Sequence, residues 1–97
     1  MLLTSADIEP ESVRLLGTNL TGDVMLSLRI PGKSPEELEV ITTFAGGDVL
    51  FEGQVIKRGP SRGASLVENG TNVGIVMLYS TRAEANAVAK ILRGARK

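Results

Sequence analysis

The 97 residues predict a β-rich α+β domain: a small antiparallel β-barrel or strongly curved sheet of about six strands, finished by one C-terminal helix. Three observations lead there. Val24 to Ile30 alternates apolar and mixed positions with a period of two, the mark of a half-buried strand. Asn69-Gly70, the strongest two-residue hairpin signal, separates two further β-type runs. The chain then closes on Thr71 to Gly94, where a long apolar strand ending at Tyr79 passes directly into a capped helix.

The elements follow in order. Residues 1–11 form an extended lead-in, because Pro10 biases Glu9 away from the helical region. The β-strands occupy 12–79. Ser12 to Leu16 is the first, and Gly17 to Asp23 is turn material rich in Gly, Asn and Asp. In the second, Val24, Leu26, Leu28 and Ile30 share one face, while Met25, Ser27 and Arg29 share the other. Pro31-Gly32 stops it. Ser34-Pro35-Glu36-Glu37 reads as about one turn of helix, with Ser as cap, Pro first and Glu three residues after the cap.

Leu38 to Phe44 alternates again and predicts a strand, reversed by Ala45 to Asp48 into its mate Val49 to Ile56. Gly53 inside that mate suggests a bulge or a close backbone approach. Ala64 to Glu68 pairs through Asn69-Gly70 with the strand starting at Thr71. For the helix over 81–94, Thr81 and Glu84 make a capping box worth about 1 kcal/mol. Ala85, Val88, Ala89 and Leu92, with Ile91 beside them, make its apolar stripe, and Gly94 ends it.

Composition narrows the function. One domain of this length buries roughly 60–65% of its unfolded surface. Aromatic residues are only 3%, so the core is aliphatic, with Phe44, Phe51 and Tyr79 as its large fillers. There is no Cys and no His, which removes thiolate and imidazole chemistry together. Glu36, Glu37 and Glu39 suit the positive end of a short helix, and no nucleophile elbow, P-loop or dinucleotide fingerprint is present. A non-enzymatic protein without metal or cofactor is expected. Met1 to Ser5 is too short an apolar run for a signal peptide or membrane span and is followed by acids, so the expected compartment is cytoplasmic.

Charge is unevenly placed. Residues 1–56 carry three basic and nine acidic side chains, residues 57–97 eight basic and two acidic, so the halves stand at −6 and +6. Either the halves complement each other in the fold, or a basic surface around 57–62 meets an anion or an acidic partner. Lys57, Arg58 and Arg62 sit on a loop opened by Gly59, Pro60 and Gly63, and guanidinium forks there suit phosphate. The same residues are also ordinary for a solvated connection. Nucleic acid is not expected, because the three aromatics lie on apolar faces and offer no stacking platform along a basic groove.

From Val24 to Leu92 the order of elements resembles a PilZ domain, a small β-barrel that ends in a strand of the form φ-Gly-φ-φ-φ and a C-terminal helix. Here that close is Asn72-Val-Gly-Ile-Val-Met-Leu-Tyr-Ser80, and Val49 to Ile56 is similar to the strand before it. PilZ domains that sense cyclic di-GMP carry R-x-x-x-R ahead of the barrel and (D/N)-x-S-x-x-G on a following strand. Arg58 to Arg62 and Asn69 to Gly74 are similar in form, which makes Lys57, Arg58, Arg62, Asn69, Thr71 and Gly74 the candidate ligand-binding residues. Both motifs lie in the C-terminal half, however, and Thr71 replaces Ser; at the expected place, Asn19 to Val24 ends in Val without a preceding arginine pair. The resemblance therefore implies a degenerate, adaptor-like member acting through protein–protein contacts. The alternatives are a receptor for a cyclic dinucleotide or other phosphate-bearing effector on the 57–62 loop, and a subunit of a homo-oligomer, such as a homodimer, joined at exposed strand edges.

Overall fold

The structure of the protein, a computed structural model, describes residues 2–42, 48–59 and 63–94. Seven strands and two α-helices follow one another as β1 (Leu2–Leu3), β2 (Arg14–Thr18), β3 (Val24–Arg29), α1 (Pro35–Thr42), β4 (Val49–Phe51), β5 (Gln54–Lys57), β6 (Gly63–Glu68), β7 (Thr71–Tyr79) and α2 (Arg82–Arg93), with a 3-10 turn at Pro10–Ser12. Among the described residues the strands form two sheets, and no closed barrel is found. One is four-stranded and antiparallel in the order β2-β3-β7-β6; the other is three-stranded in the order β1-β4-β5.

The centre of the larger sheet is β3 against β7. Val24, Leu26 and Leu28 stand opposite Tyr79, Met77 and Ile75, so both strands present the same face. All six side chains are buried, and Leu26, Leu28 and Ile75 are fully so. Ala85, Val88, Ala89 and Leu92 of α2 join them, as do Leu3, Val49, Phe51 and Ile56 from the smaller sheet. One continuous aliphatic core thus serves both sheets. Helix α2 begins where the sequence places it: Thr81 has extended dihedrals, and its Oγ1 accepts from the Glu84 amide at 3.2 Å. Its last residue, Arg93, donates from Nη2 to the Val13 carbonyl at 3.0 Å. Gly94 ends it in a right-handed conformation, φ −66°.

Four expectations are corrected. The strands do not begin at residue 12: within the extended lead-in, Leu2–Leu3 form β1, which pairs parallel with β4, with Leu3 1% exposed and the Asp7 carboxylate accepting from both the amide and the hydroxyl of Thr4. The strand expected over Leu38 to Phe44 is helical through Thr42; residues 43–47, Phe44 among them, lie outside the described residues. The helix start explains this. Glu37 reaches back to the Ser34 amide at 3.0 Å while its own amide donates to Ser34 Oγ at 3.4 Å, a reciprocal capping box that carries the helix past one turn. Leu38 then goes fully into the core, and the β preference of the residues behind it is overridden by packing.

The third correction concerns Val49 to Ile56, which is a hairpin in itself. Glu52 and Gly53 both have positive φ, 50° and 83°, the signature of a two-residue type I′ turn between β4 and β5. Gly53 is a turn residue, not a bulge. Last, seven strands replace six, because that hairpin and β1 supply short strands of two to four residues.

The second type I′ turn is the one the sequence announces, Asn69 and Gly70 at φ 54° and 79° between β6 and β7. In β7, Gly74 lies opposite Arg29, and a Cβ there would run into the Leu28 carbonyl and the Arg29 Cα. Gly74→Ala is therefore expected to cost about 2–3 kcal/mol in a denaturant titration. Gly94→Ala, which meets nothing within 4 Å and needs no change of backbone region, should leave stability within about 1 kcal/mol of the parent.

Candidate functional site

A groove of about 290 Å³ runs between β5 and α2. Its β5 wall is Val55, Ile56 and Lys57, continued by Arg58. Its helical wall is the stripe Glu84, Ala87, Val88 and Ile91, spaced so that one face of α2 presents all four. This stripe lies beside the one that enters the core, and Val88 belongs to both. Tyr79 closes the inner side.

Tyr79 holds the groove together. Its hydroxyl donates to the Ile56 carbonyl at 2.7 Å, tying the last residue of β7 to β5 in the other sheet. The Lys57 ammonium lies 5.4 Å from the ring centroid, a cation–π contact. Burial pushes the Tyr79 hydroxyl far above its ordinary value, with the Glu84 carboxylate adding to the effect, so the phenol stays a hydrogen-bond donor. Arg58 is exposed at the rim, and among the described residues neither it nor Lys57 forms an ion pair. The following Gly59 amide is already taken, donating to Asp48 Oδ1 at 2.7 Å.

The candidate residues divide. Lys57 and Arg58 meet at this groove, while Arg62 lies outside the described residues. Asn69, Thr71 and Gly74 belong elsewhere. Thr71 and Tyr79 are opposite ends of β7, roughly 26 Å apart at about 3.3 Å per residue. Asn69 is occupied by the hairpin turn and Gly74 by the close passage of β3, and neither lines the groove that Lys57 and Arg58 line. The apolar half of the groove, Val55, Ala87, Val88 and Ile91, is what sequence reasoning missed; the position of Ile91 beside the core stripe is the one signal that could have suggested it.

Among the described residues no three His, Cys, Asp or Glu side chains gather as a metal site would require, and no helix is long and apolar enough to cross a membrane. The acids near the N-terminus are engaged in the fold: Arg29 pairs with Glu9 and Glu68, and Lys33 with Asp7 and Glu37. Comparisons with family models, with curated proteins and with solved structures return no match.

Two measurements check this account of Tyr79, the only tyrosine in the chain. In an ultraviolet titration, no tyrosinate should form around the ordinary pKa of about 10. Because the folded value is raised, this contribution to stability is complete below the ordinary pKa and is lost as pH rises through the folded one. Tyr79→Phe, which leaves the Ile56 carbonyl without its partner, should cost about 1–3 kcal/mol in denaturant unfolding.

Proposed function

We propose that the protein is a non-enzymatic interaction module that docks on another protein through the groove between β5 and α2. One observation carries this reading: an apolar stripe and two cations that form no ion pair among the described residues converge on a single concave surface. Apolar grooves beside an open strand or helix face are one way in which proteins take up an extended or helical segment of a partner. The absence of His and Cys from the sequence supports binding over bond chemistry. An adaptor of the degenerate PilZ type is the form of this reading that the sequence pattern favours.

A second reading has Lys57 and Arg58 clamping a phosphate-bearing effector such as cyclic di-GMP. Its support is the placement of both cations on one rim. Two features weigh on the protein side: Glu84 lines the same groove, and Asp48 occupies the amide that a phosphate would use.

A photo-crosslinking amino acid in place of Ala87, compared with one in place of fully exposed Leu20, tests the docking site in cells. The expected result is a protein adduct at position 87 alone, lost when Arg58→Glu is added. The same adducts from both positions, or none from 87, would overturn the assignment. Cyclic di-GMP should leave the melting curve unchanged; at one hundred times its dissociation constant a true ligand would add about 2.7 kcal/mol. Such a shift, abolished by Arg58→Ala, would put the second reading in place of the first.

A further inference from the structure

The groove has an open sheet edge for one of its walls. β5 is the outer strand of the three-stranded sheet, and among the described residues it pairs with β4 alone. The pairing fixes which of its backbone groups point outward. Phe51 and Gln54 flank the two-residue turn, so they form the pair that exchanges hydrogen bonds. The next pair, Leu50 and Val55, is then the non-bonded kind, and the Val55 N–H and C=O face away from β4. Among the described residues, no backbone bond from another element reaches Val55.

One step further, the register shifts, and two β5 residues, Ile56 and Lys57, stand against Val49. The Ile56 carbonyl is thereby released to Tyr79, whose hydroxyl it accepts. Tyr79 therefore stops the open edge at Ile56 and leaves it available at Val55. Across from that edge stand Ala87, Val88 and Ile91 of α2, an apolar wall for alternate side chains of a strand lying between. Two cations against the single carboxylate of Glu84 set the preference for an acidic occupant at the Lys57–Arg58 end.

We infer that the occupant is an extended segment of a partner protein, which adds to β5 as a fourth strand. This rests on the docking reading above and specifies its chemistry. The segment alternates apolar residues, which face α2, with others that face solvent, and it carries Asp or Glu near Arg58. Main-chain bonds to Val55 supply its register, and the apolar wall supplies side-chain selection, as in strand addition generally. Since Val55 alone presents outward groups, the main-chain contact is one N–H and one C=O, and the apolar wall of α2 carries the rest of the recognition.

The test is selection of random eight-residue peptides, displayed on phage, against the immobilised full chain, followed by nuclear magnetic resonance with the synthesised consensus peptide. The expected consensus alternates apolar residues and contains an acid. The peptide should shift Ala87 and Ile91 and slow hydrogen exchange at the Val55 amide. N-methylation scanned along the peptide should weaken binding tenfold or more at one position only, the residue whose N–H meets the Val55 carbonyl, and Arg58→Glu should do the same for the unmodified peptide. A peptide that shifts Ala87 and Ile91 but leaves Val55 exchange unchanged and tolerates N-methylation would overturn strand addition while leaving the docking site in place. A basic consensus, or no enrichment, would likewise overturn the inference, with the Ala87 adduct remaining the separate test of the docking reading. Peptides that bind away from the groove would overturn both.

Discussion

The bond from Tyr79 to the Ile56 carbonyl joins two sheets that share no strand. Each sheet is small, and the three-stranded one is built from strands of two to four residues, too little for stability by itself. It persists because Leu3, Val49, Phe51 and Ile56 enter the same core as β3, β7 and α2. Tyr79 stands at that junction, buried to 3% exposure, with its only polar atom satisfied. A phenol taken out of water without an acceptor would oppose folding, and the released carbonyl of a bulged strand answers that need.

The same arrangement generates the groove. A bulge in the β4–β5 ladder turns one carbonyl toward Tyr79 and leaves the neighbouring residue facing outward. Because α2 follows Tyr79 after two residues, its N-terminal turns are held beside that edge. The helix then has two tasks on adjacent stripes: Ala85, Ala89 and Leu92 fill the core, while Ala87 and Ile91 line the groove. Small alanines on the core side let the helix lie close to the sheet.

Charge is divided along similar lines. Arg29 and Lys33, two of the three basic residues in the first 56, pair with Glu9 and Glu68 and with Asp7 and Glu37, pinning the N-terminal segment to the sheet and to α1. The half-exposed Arg29 pairs contribute little each; they orient segments that backbone bonds already hold, such as the Glu9 amide to the Arg29 carbonyl and the Gly32 amide to that of Asp7. The Ser34 hydrogen bonds, both backbone and hydroxyl, lower the Glu37 carboxyl below its ordinary value, because they favour the ionised form that caps α1. Lys57 and Arg58 take no part in these pairs, and these two cations of the basic second half line the groove.

The amino-acid sequence by itself determined the features that are decided within a few residues of chain. Alternation from Val24 to Ile30 set the buried face of β3, Asn69-Gly70 set a type I′ turn, and Thr81 with the stripe behind it set α2. Each rests on local dihedral preference or on the period of side-chain direction, which need no knowledge of a distant partner. Tertiary structure decided the rest. Leu38 onward alternates as a strand would, and a capping box together with the burial of Leu38 in the core selected helix. Leu2-Leu3 became a strand only because β4 lay parallel to it, a pairing with nearly fifty residues between partners. The groove was least legible of all. Its walls come from β5 and α2, some thirty residues apart, and its polarity depends on a bulge that only the pairing of β4 with β5 creates.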